Sequence, residues 1–239
     1  MPTSGARLRV VRRRLFLCLF LFAACRATTP ATPLLSTTVA AKTPSVKAPV
    51  LVLLHGLGAN ERDLLSVAPG VDPRFELISL RAPRPLGPDA FSWFDVTFKQ
   101  EGPVHDGPQA EVARRSLVAF LEELKRRPDI DPERVFLLGF SQGAILGISV
   151  ALTEPKLVRG VVAVSGRTLP EFAERTATGD VLLLHGTRDT RLPYALAENS
   201  REVLTRAGVK VELRAYDVGH TLDATMLADL SAWLSARLS

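Results

Sequence analysis

The sequence predicts an α/β fold with a mostly parallel central sheet and helices on both faces. Six short runs are almost continuous in Val, Leu and Ile, which is typical of strands buried on both faces of a parallel sheet. Segments with helical spacing of apolar residues separate several of these runs, and alternation of strands with helices is characteristic of such a sheet. A third observation is a strand–turn–helix motif with serine at its centre, described below.

The predicted elements follow each other along most of the chain. The strands span residues 49–54, 75–80, 135–138, 158–165, 181–184 and 209–216, and the helices span residues 109–127, 142–152, 194–207 and 221–238. In the first helix, apolar residues such as Leu117, Leu121 and Leu124 recur at helical spacing. The segment 81–98 is rich in proline and aromatic residues and is predicted to be a loop.

Composition divides the chain into three parts. Residues 1–24 combine a basic start with an apolar run and are predicted to be a signal peptide. Residues 25–47 are rich in Thr, Pro, Ala and Ser, cannot form a core, and are predicted to be a flexible tether. The segment 48–239 is long and apolar enough to form one globular domain with a full hydrophobic core.

The positive charge of the chain is confined to its beginning. The whole sequence has 30 Lys and Arg residues against 25 Asp and Glu, a formal charge of +5. Residues 1–24 contain five arginines and no acidic residue, so the remainder has 25 residues of each sign. Because no basic surface remains to bind phosphates, no nucleic-acid partner is expected.

The apolar part of the leader, residues 15–24, is too short to span a bilayer and is typical of a signal sequence. It ends in two alanines before Cys25, which resembles a bacterial lipobox, although Phe22 stands where an aliphatic residue is usual. Cys25 is therefore the predicted lipidation site of an envelope-anchored protein. The alternative is plain cleavage after Ala24, which leaves a periplasmic or secreted protein. The arginine pair 13–14 resembles a twin-arginine signal, so the export route stays open.

The two cysteines of the chain, Cys18 and Cys25, lie in or next to the leader. The domain from residue 48 onward therefore has neither a disulfide nor a thiolate metal site. The sequence also contains no H-E-x-x-H motif and no paired His–carboxylate cluster, so neither a metal nor a cofactor is expected.

The pentapeptide Gly139-Phe140-Ser141-Gln142-Gly143 follows a β-prone run and precedes a helix-forming stretch. G-x-S-x-G in this context is typical of a nucleophile elbow, a sharp strand-to-helix turn that exposes the serine above the sheet. Its glycines allow strand and helix to approach closely around a strained backbone. The pattern predicts that Ser141 is a nucleophile and that the protein is a hydrolase. The alternative is a Gly/Ser turn without catalytic function.

A serine hydroxyl needs a general base within hydrogen-bond reach. Of the four histidines, only His185 and His220 follow Ser141, as the base does in α/β-hydrolases. His220 comes after the last predicted strand and is the predicted base. His55 and His185 end strands in identical Leu-Leu-His-Gly segments and are interpreted as structural turn residues.

An acid must orient the base, and Asp189 is the predicted acid because it lies just past the strand 181–184. The carboxyl ends of parallel strands share one crevice, where Asp189 can meet His220. The alternative is an aspartate solvated in a loop. Negative charge on the attacked carbonyl oxygen also needs donors already in place, and the backbone N–H groups of Leu57 and Gln142 are the predicted oxyanion hole.

Five motifs occur in register along the domain. They are His55-Gly56-Leu57-Gly58-Ala59-Asn60, Trp93-Phe94-Asp95, the pentapeptide around Ser141, His185-Gly186-x-x-Asp189-x-x-x-Pro193, and Gly219-His220. Together they resemble the phospholipase/carboxylesterase family, which includes bacterial carboxylesterases and acyl-protein thioesterases. The resemblance covers about residues 48–238 and implies an α/β-hydrolase that hydrolyses carboxylic esters with Ser141, Asp189 and His220 as its triad. It also implies that Trp93 lies near the acyl site, with core packing as the alternative.

The sequence thus predicts a serine carboxylesterase that acts on short- to medium-chain esters through an acyl-enzyme. The short interval between Ser141 and Asp189 leaves no room for a large cap domain. An acyl thioesterase or lysophospholipase with the same triad is an alternative, and a surface-tethered, non-catalytic binding protein is an alternative of another class. The expected partner is a small-molecule ester, and only an N-terminal lipid anchor would contact a membrane. The sequence does not specify the oligomeric state.

Overall fold

The computed structural model of the protein describes residues 33–100, 102–173 and 175–238. The predicted signal peptide and the predicted lipidation site Cys25 lie outside these residues. The described chain forms one seven-stranded sheet and two small two-stranded sheets, with four α-helices.

The bounds of the regular elements are as follows. The strands are β1 (Ser36–Val39), β2 (Ala48–Leu54), β3 (Glu76–Leu80), β4 (Arg84–Gly87), β5 (Ala90–Ser92), β6 (Val96–Lys99), β7 (Gly102–His105), β8 (Ile130–Phe140), β9 (Gly160–Val164), β10 (Asp180–Gly186) and β11 (Lys210–Tyr216). The helices are α1 (Gly107–Leu124), α2 (Gln142–Thr153), α3 (Ala195–Ala207) and α4 (Ala224–Ser235). Short 3-10 helices cover Asp63–Val67, Pro155–Leu157 and Pro170–Phe172.

The large sheet has the strand order β1-β3-β2-β8-β9-β10-β11. Every neighbouring pair in it is parallel except β1 with β3. All six predicted strands are present in this sheet, and no large cap domain interrupts the described residues, so the predicted α/β-hydrolase fold is confirmed. The carboxyl ends of β2, β8, β9 and β10 meet along one edge, where ligands bind in open α/β sheets.

Two apolar layers attach the helices to opposite faces of the sheet. Val50 and Val52 of β2 are fully buried in a layer that includes α1 and α2. Leu51 and Leu53 are fully buried in a second layer that includes α4. Alternate side chains of a strand point to opposite faces, so a strand covered on both sides must be apolar throughout. This explains the continuous Val/Leu/Ile runs in the sequence.

Local signals fix the ends of the helices. Asp106 caps α1 by accepting a hydrogen bond from the N–H of Gln109 at 2.9 Å, and Asp223 caps α4 by accepting from Met226 at 2.8 Å. Gly208 ends α3 with φ 98°, a left-handed conformation that favours glycine. Among the described helices, none combines the length and apolar character needed to cross a membrane.

Two segments that were expected to lack regular structure form strands. Within the predicted tether 25–47, Ser36–Val39 forms β1 and pairs with the outer edge of β3. The tether prediction is wrong for these residues, because a β-prone Ser-Thr-Thr-Val segment is stabilised once an open sheet edge can pair with it. The predicted loop 81–98 contains β4, β5 and most of β6, which form short hairpins beside the sheet.

Candidate active site

Ser141 lies in the sharp turn between β8 and α2. Its backbone has φ 53° and ψ −114°, a strained conformation for a residue with a Cβ. Backbone hydrogen bonds hold the turn, from the Ser141 N–H to the Val164 oxygen at 2.9 Å and from the Ile145 N–H to the Ser141 oxygen at 3.0 Å. A Cβ at Gly143 would overlap the carbonyl oxygen of Leu54, so glycine is required where α2 passes over β2.

The structure brings Ser141, His220 and Asp189 together from three distant segments. Nε2 of His220 is 3.0 Å from Oγ of Ser141, and Nδ1 is 2.7 Å from Oδ2 of Asp189. Because an ionised carboxylate only accepts hydrogen bonds, Nδ1 donates and Nε2 is left to accept the proton of the serine hydroxyl. The side chain of Asp189 is 0% exposed and that of His220 is 12% exposed, so water competes little for these bonds.

The turn after β10 orients Asp189. Its Oδ1 accepts hydrogen bonds from the backbone N–H groups of Arg191 and Leu192, each at 2.9 Å. These two bonds fix the rotation of the carboxylate and direct Oδ2 towards His220. The ring of Phe140 packs beside the imidazole, with 5.0 Å between the ring centroids.

The two histidines of the Leu-Leu-His-Gly segments have structural roles. The Nδ1 of His55 donates to the Gly56 oxygen at 2.7 Å, and its Nε2 accepts from the Ala82 N–H at 3.0 Å. Nε2 of His185 donates to the Leu192 oxygen at 2.7 Å. Burial lowers the pKa of both imidazoles, so both are neutral at neutral pH and position the loops around the triad.

The predicted oxyanion donors lie on the same cavity as Ser141. Leu57 and Gln142 both line it. The next amide in the first loop, that of Gly58, donates to the Phe91 oxygen at 2.8 Å and is engaged elsewhere. The N–H of Gln142 is in the first turn of α2, where amides have no acceptor within the helix. Leu57 and Gln142 therefore remain the predicted oxyanion donors, on the same cavity as the nucleophile.

The side chain of Gln142 has a role that the sequence analysis did not predict. Its Nε2 donates to the Phe94 oxygen at 2.7 Å, and its Oε1 accepts from the Trp93 N–H at 3.1 Å. The hydroxyl of Ser92 is 3.4 Å from the same oxygen. The side-chain amide of Gln142 therefore ties the segment 92–94 to the elbow through both its nitrogen and its oxygen.

Trp93 is buried in the core rather than exposed to the cavity. Its side chain is 1% exposed, and its Nε1 donates to the His55 oxygen at 2.9 Å. The neighbouring residue Phe94 lines the cavity, and Trp93 does not. The position of Trp93 therefore corresponds to the core-packing alternative and gives no support to substrate contact.

A cavity of about 410 Å³ opens over the triad. Its apolar lining includes Leu57, Phe94, Val96, Phe98, Ile145 and Leu222. One wall is the antiparallel hairpin β6–β7, in which Val96 pairs with His105 and Phe98 with Pro103. All four of these side chains line the cavity, as expected for paired residues on one face of a hairpin. We refer to β6–β7 together with Phe94 as the hairpin wall.

Two arginines on the cavity were not among the predicted site residues. Arg167 follows β9 and Arg191 follows β10, and both line the cavity. The rule that the carboxyl ends of parallel strands surround the ligand could have identified both positions. The hairpin wall offered no comparable signal, because its strands have only four residues each and little apolar alternation.

The parallel sheet, the elbow and the hydrogen-bonded Ser, His and Asp define an α/β-hydrolase of the serine type. Comparison with known proteins agrees with this class. The model of the phospholipase/carboxylesterase family matches residues 36–238. The chain belongs to this family and is a carboxylic ester hydrolase.

Individual relatives are similar over most of the chain. Esterase YpfH of Escherichia coli (strain K12) is 32% identical over 184 residues, which are 73% of this chain and 76% of that protein. Acyl-protein thioesterase 1 of Eremothecium gossypii is 30% identical over 207 residues, 78% of this chain and 87% of its own length. The crystal structure of esterase PE8 superposes with a TM-score of 0.75 and 26% identity, covering 86% of this chain and 99% of that one.

Proposed function

We propose that the protein hydrolyses short- to medium-chain carboxylic esters with Ser141 as nucleophile, His220 as general base and Asp189 as the acid that orients it. The observation that carries the proposal is the pair of hydrogen bonds, 3.0 Å and 2.7 Å long, that links the three side chains at the floor of an apolar cavity. A serine hydroxyl has little nucleophilicity unless a base removes its proton, and this arrangement supplies that base.

The reaction follows from the geometry. As Oγ of Ser141 attacks the acyl carbonyl, Nε2 of His220 takes its proton, and the Asp189 carboxylate stabilises the imidazolium that forms. The N–H groups of Leu57 and Gln142 stabilise the negative oxygen of the tetrahedral intermediate. His220 then protonates the leaving alcohol, and an acyl-enzyme remains. Water activated by the same imidazole attacks the acyl-enzyme, and the free acid leaves.

Cavity size supports short to medium acyl chains. A volume of about 410 Å³ is within the range of small-molecule sites and suits an ester with a short or medium acyl chain. The mostly apolar lining favours alkyl or aryl parts of an ester over free amino acids or sugars.

The assignment is tested with Ser141→Ala and a p-nitrophenyl butyrate assay. We expect the rate of hydrolysis to fall by at least about a thousandfold, because only the oxyanion donors and binding remain. Ser165→Ala is the matched control. Ser165 also ends a strand with a positive φ, 50°, but its buried hydroxyl has no hydrogen-bond partner within the described residues, so its removal should preserve turnover.

Near-normal turnover in Ser141→Ala would reject the triad. Covalent labelling with a fluorophosphonate separates the enzyme from a non-catalytic binding protein, because only an activated serine reacts. We expect wild-type protein to be labelled at Ser141 and the Ser141→Ala variant to stay unlabelled. An unlabelled wild-type protein would favour the binding protein.

Thioester hydrolysis is a second candidate function, favoured by the similarity to an acyl-protein thioesterase. The same triad serves both substrates, and only the leaving group differs. Matched oxygen and sulfur esters of one acyl chain distinguish the two through kcat/KM. A lysophospholipase activity is distinguished in the same way with a short-chain lysophospholipid.

We also propose that the protein is exported from a bacterial cytoplasm and anchored in the cell envelope through lipidated Cys25. The proposal rests on the basic and apolar leader that ends in two alanines before this cysteine. Cys25→Ser should release the enzyme from the membrane fraction with unchanged esterase activity per molecule. Equal membrane association of both proteins would contradict lipidation. The small-molecule ester is the proposed partner, with no role for nucleic acid.

A further inference from the structure

Arg167 is a cation built into the cavity wall next to the triad. It follows β9, the strand adjacent to β8, and it lines the cavity. Among the described residues, no carboxylate lies within ion-pair distance of its guanidinium. Its Nη2 donates to the Pro103 oxygen at 3.1 Å and lies 3.3 Å from Nδ1 of His105. Both partners belong to the hairpin wall, so the guanidinium is fixed against it.

The guanidinium is incompletely satisfied. Its Nε is buried and has no hydrogen-bond partner within the described residues. Burial also lowers the pKa of Arg167, which means that the surroundings do not compensate the charge fully. A guanidinium nevertheless stays protonated in proteins, so the wall of the cavity carries a positive charge at Arg167.

The nearest acid is already bound to another group. Nε2 of His105 donates to Oε1 of Glu171 at 2.8 Å, which makes Nδ1 the acceptor for Arg167. The charge of Glu171 opposes the lowering of the Arg167 pKa, but Glu171 forms no ion pair with the guanidinium. The imidazole of His105 and the backbone carbonyl of Pro103 hold the arginine in place.

The other charged side chains on the cavity differ from Arg167 in exposure. Asp63 lies on the 3-10 helix after β2, and Arg191 lies after β10; both are exposed, so water screens them. Asp63 is also on the far side of β8 from Arg167 in the strand order. The lining around Arg167 is otherwise largely apolar, including Val96 and Phe98. An anion would thus find one partly desolvated cation in an apolar wall.

We propose that Arg167 binds an anionic oxygen group, a carboxylate or a phosphate, on a part of the substrate other than the reacting ester. This inference rests on the proposed esterase function. The planar guanidinium matches the geometry of both anions, and a charge-assisted hydrogen bond in a partly dry cavity is stronger than one in water. The enzyme would then select half-esters of dicarboxylic acids or esters of phosphorylated alcohols over neutral esters of equal size.

Two matched substrate pairs test the proposal and distinguish the two anions. For the carboxylate, the p-nitrophenyl half-ester of glutaric acid is compared with the ester in which the free carboxylate is replaced by a carboxamide. For the phosphate, butyryl glycerol phosphate is compared with butyryl glycerol. We expect kcat/KM for at least one anionic member to exceed that of its neutral partner. Arg167→Gln should lower this preference by about ten- to a hundredfold, mainly through KM.

Three variants separate a specific site from general effects. Arg167→Lys keeps the charge but loses the planar fork, so an intermediate preference is expected. Arg126→Gln, on the distant surface, controls for net charge and should keep the full preference. Arg191→Gln removes the exposed cavity arginine and should have a smaller effect than Arg167→Gln. An equal effect of the two cavity variants would overturn the assignment to Arg167 in favour of a diffuse positive field.

The experiments distinguish a wrong assignment of Arg167 from a wrong assignment of the esterase function. If wild-type protein hydrolyses neutral esters and neither anionic pair depends on Arg167, the inference is wrong and the esterase stands. If it hydrolyses no member of either pair and fluorophosphonate leaves Ser141 unlabelled, both fail. A cooperative thermal unfolding transition of Arg167→Gln shows that the variant is folded.

Discussion

The two sides of the active-site cavity are held in place in different ways. On the catalytic side, Ser141 and Asp189 follow strands in the middle of the parallel sheet, and each is fixed by backbone hydrogen bonds at 2.9 Å. On the other side, the hairpin wall consists of two four-residue strands outside the main sheet, with Phe98 and Val104 about half exposed. The wall is attached mainly through side chains.

This difference separates reaction chemistry from substrate selection. Residues at the ends of interior strands can change little without disturbing the core, so the nucleophile and the acid are tied to the fold. A short peripheral hairpin can change sequence at small cost in stability, which allows the same chemistry to act on different esters. The two sides should therefore respond differently to mutation.

The largest effect on the catalytic side is expected from Asp189→Asn. Because Oδ1 accepts two backbone N–H groups, the asparagine oxygen must stay there and its NH₂ must face Nδ1 of His220. Nδ1 then loses its acceptor, and the imidazole adopts the tautomer that cannot take the proton of Ser141. We expect kcat to fall by roughly a thousand- to ten-thousandfold in the p-nitrophenyl butyrate assay, with the fold retained.

Asp217→Asn is the control for this prediction. Asp217 is close to His220 in sequence, but it forms an ion pair with Arg188 at the surface, and its side chain is 85% exposed. Loss of such a pair has little energetic effect, so activity within about twofold of wild type is expected. A mild phenotype for both variants would mean that Asp189 does not orient the base.

Gly143→Ala tests how tightly the catalytic side is packed. The new methyl group would overlap the backbone of Leu54, which cannot move without disturbing the central strand β2. We expect the free energy of unfolding to fall by roughly 3 kcal/mol or more. Gly87→Ala, on the β4–β5 hairpin, has open space around its Cβ and should change stability by less than about 0.5 kcal/mol. Chemical denaturation measures the free energy of unfolding of both variants. Equal stability of the two would contradict the tighter packing of the catalytic side.

Trp93→Phe tests whether Trp93 belongs to the core or to the substrate-binding wall. The substitution removes the hydrogen bond to the His55 oxygen and leaves space in the core, with an expected cost of about 1–3 kcal/mol. Since Trp93 does not line the cavity, KM for p-nitrophenyl butyrate should stay near the wild-type value. A raised KM with unchanged thermal stability would instead support the substrate-contact role.

The smallest effect concerns pH and the loop that follows β2. Arg81 forms two hydrogen bonds with Glu61, each 2.6 Å long, and these lower the pKa of Glu61 from 4.5 to about 2. A carboxylate whose pKa is lower in the folded protein stabilises it above the unfolded pKa. This stability is lost as pH falls from about 4.5 to about 2.

Glu61→Gln should therefore unfold more easily than wild type at neutral pH and show a weaker loss of stability across that acidic range. The control is Glu123→Gln, which breaks an exposed pair with Arg126 whose side chains are 77% and 68% exposed. Urea denaturation at several pH values measures both. Parallel pH profiles for wild type and Glu61→Gln would show that this pair does not stabilise the fold.

The catalytic side could be predicted from sequence because each of its signals is local. The glycines around Ser141 indicate a backbone turn. The apolar runs before Ser141 and Asp189 indicate parallel strands, whose carboxyl ends must lie at the same edge of the sheet. The order of Ser141, Asp189 and His220 then assigns a role to each. Five of the six predicted strands have bounds within two residues of the observed ones, since buried strands are continuously apolar; β8 begins five residues before its predicted start and includes the polar segment 131–134.

The hairpin wall and the first strand, β1, were harder to predict from sequence, for a physical reason in each case. β1 depends on an open edge of β3 with which to pair, which no local pattern in Ser36–Val39 reveals. The hairpin wall has too few residues for a clear period. The position of Arg167 after β9 could have been noted from sequence, but its lack of an ion-pair partner among the described residues is visible only in the structure. Trp93 and its neighbour Phe94 have similar sequence signals, yet only Phe94 reaches the cavity.

Gln142 connects the two sides, since its amide belongs to the elbow and its side chain holds the segment 92–94. Any exchange at this position made to probe the oxyanion donor will also loosen the attachment of Phe94. Efforts to retarget the enzyme should leave this glutamine unchanged and begin beyond Phe94. There a redesigned loop can shift specificity without displacing the nucleophile.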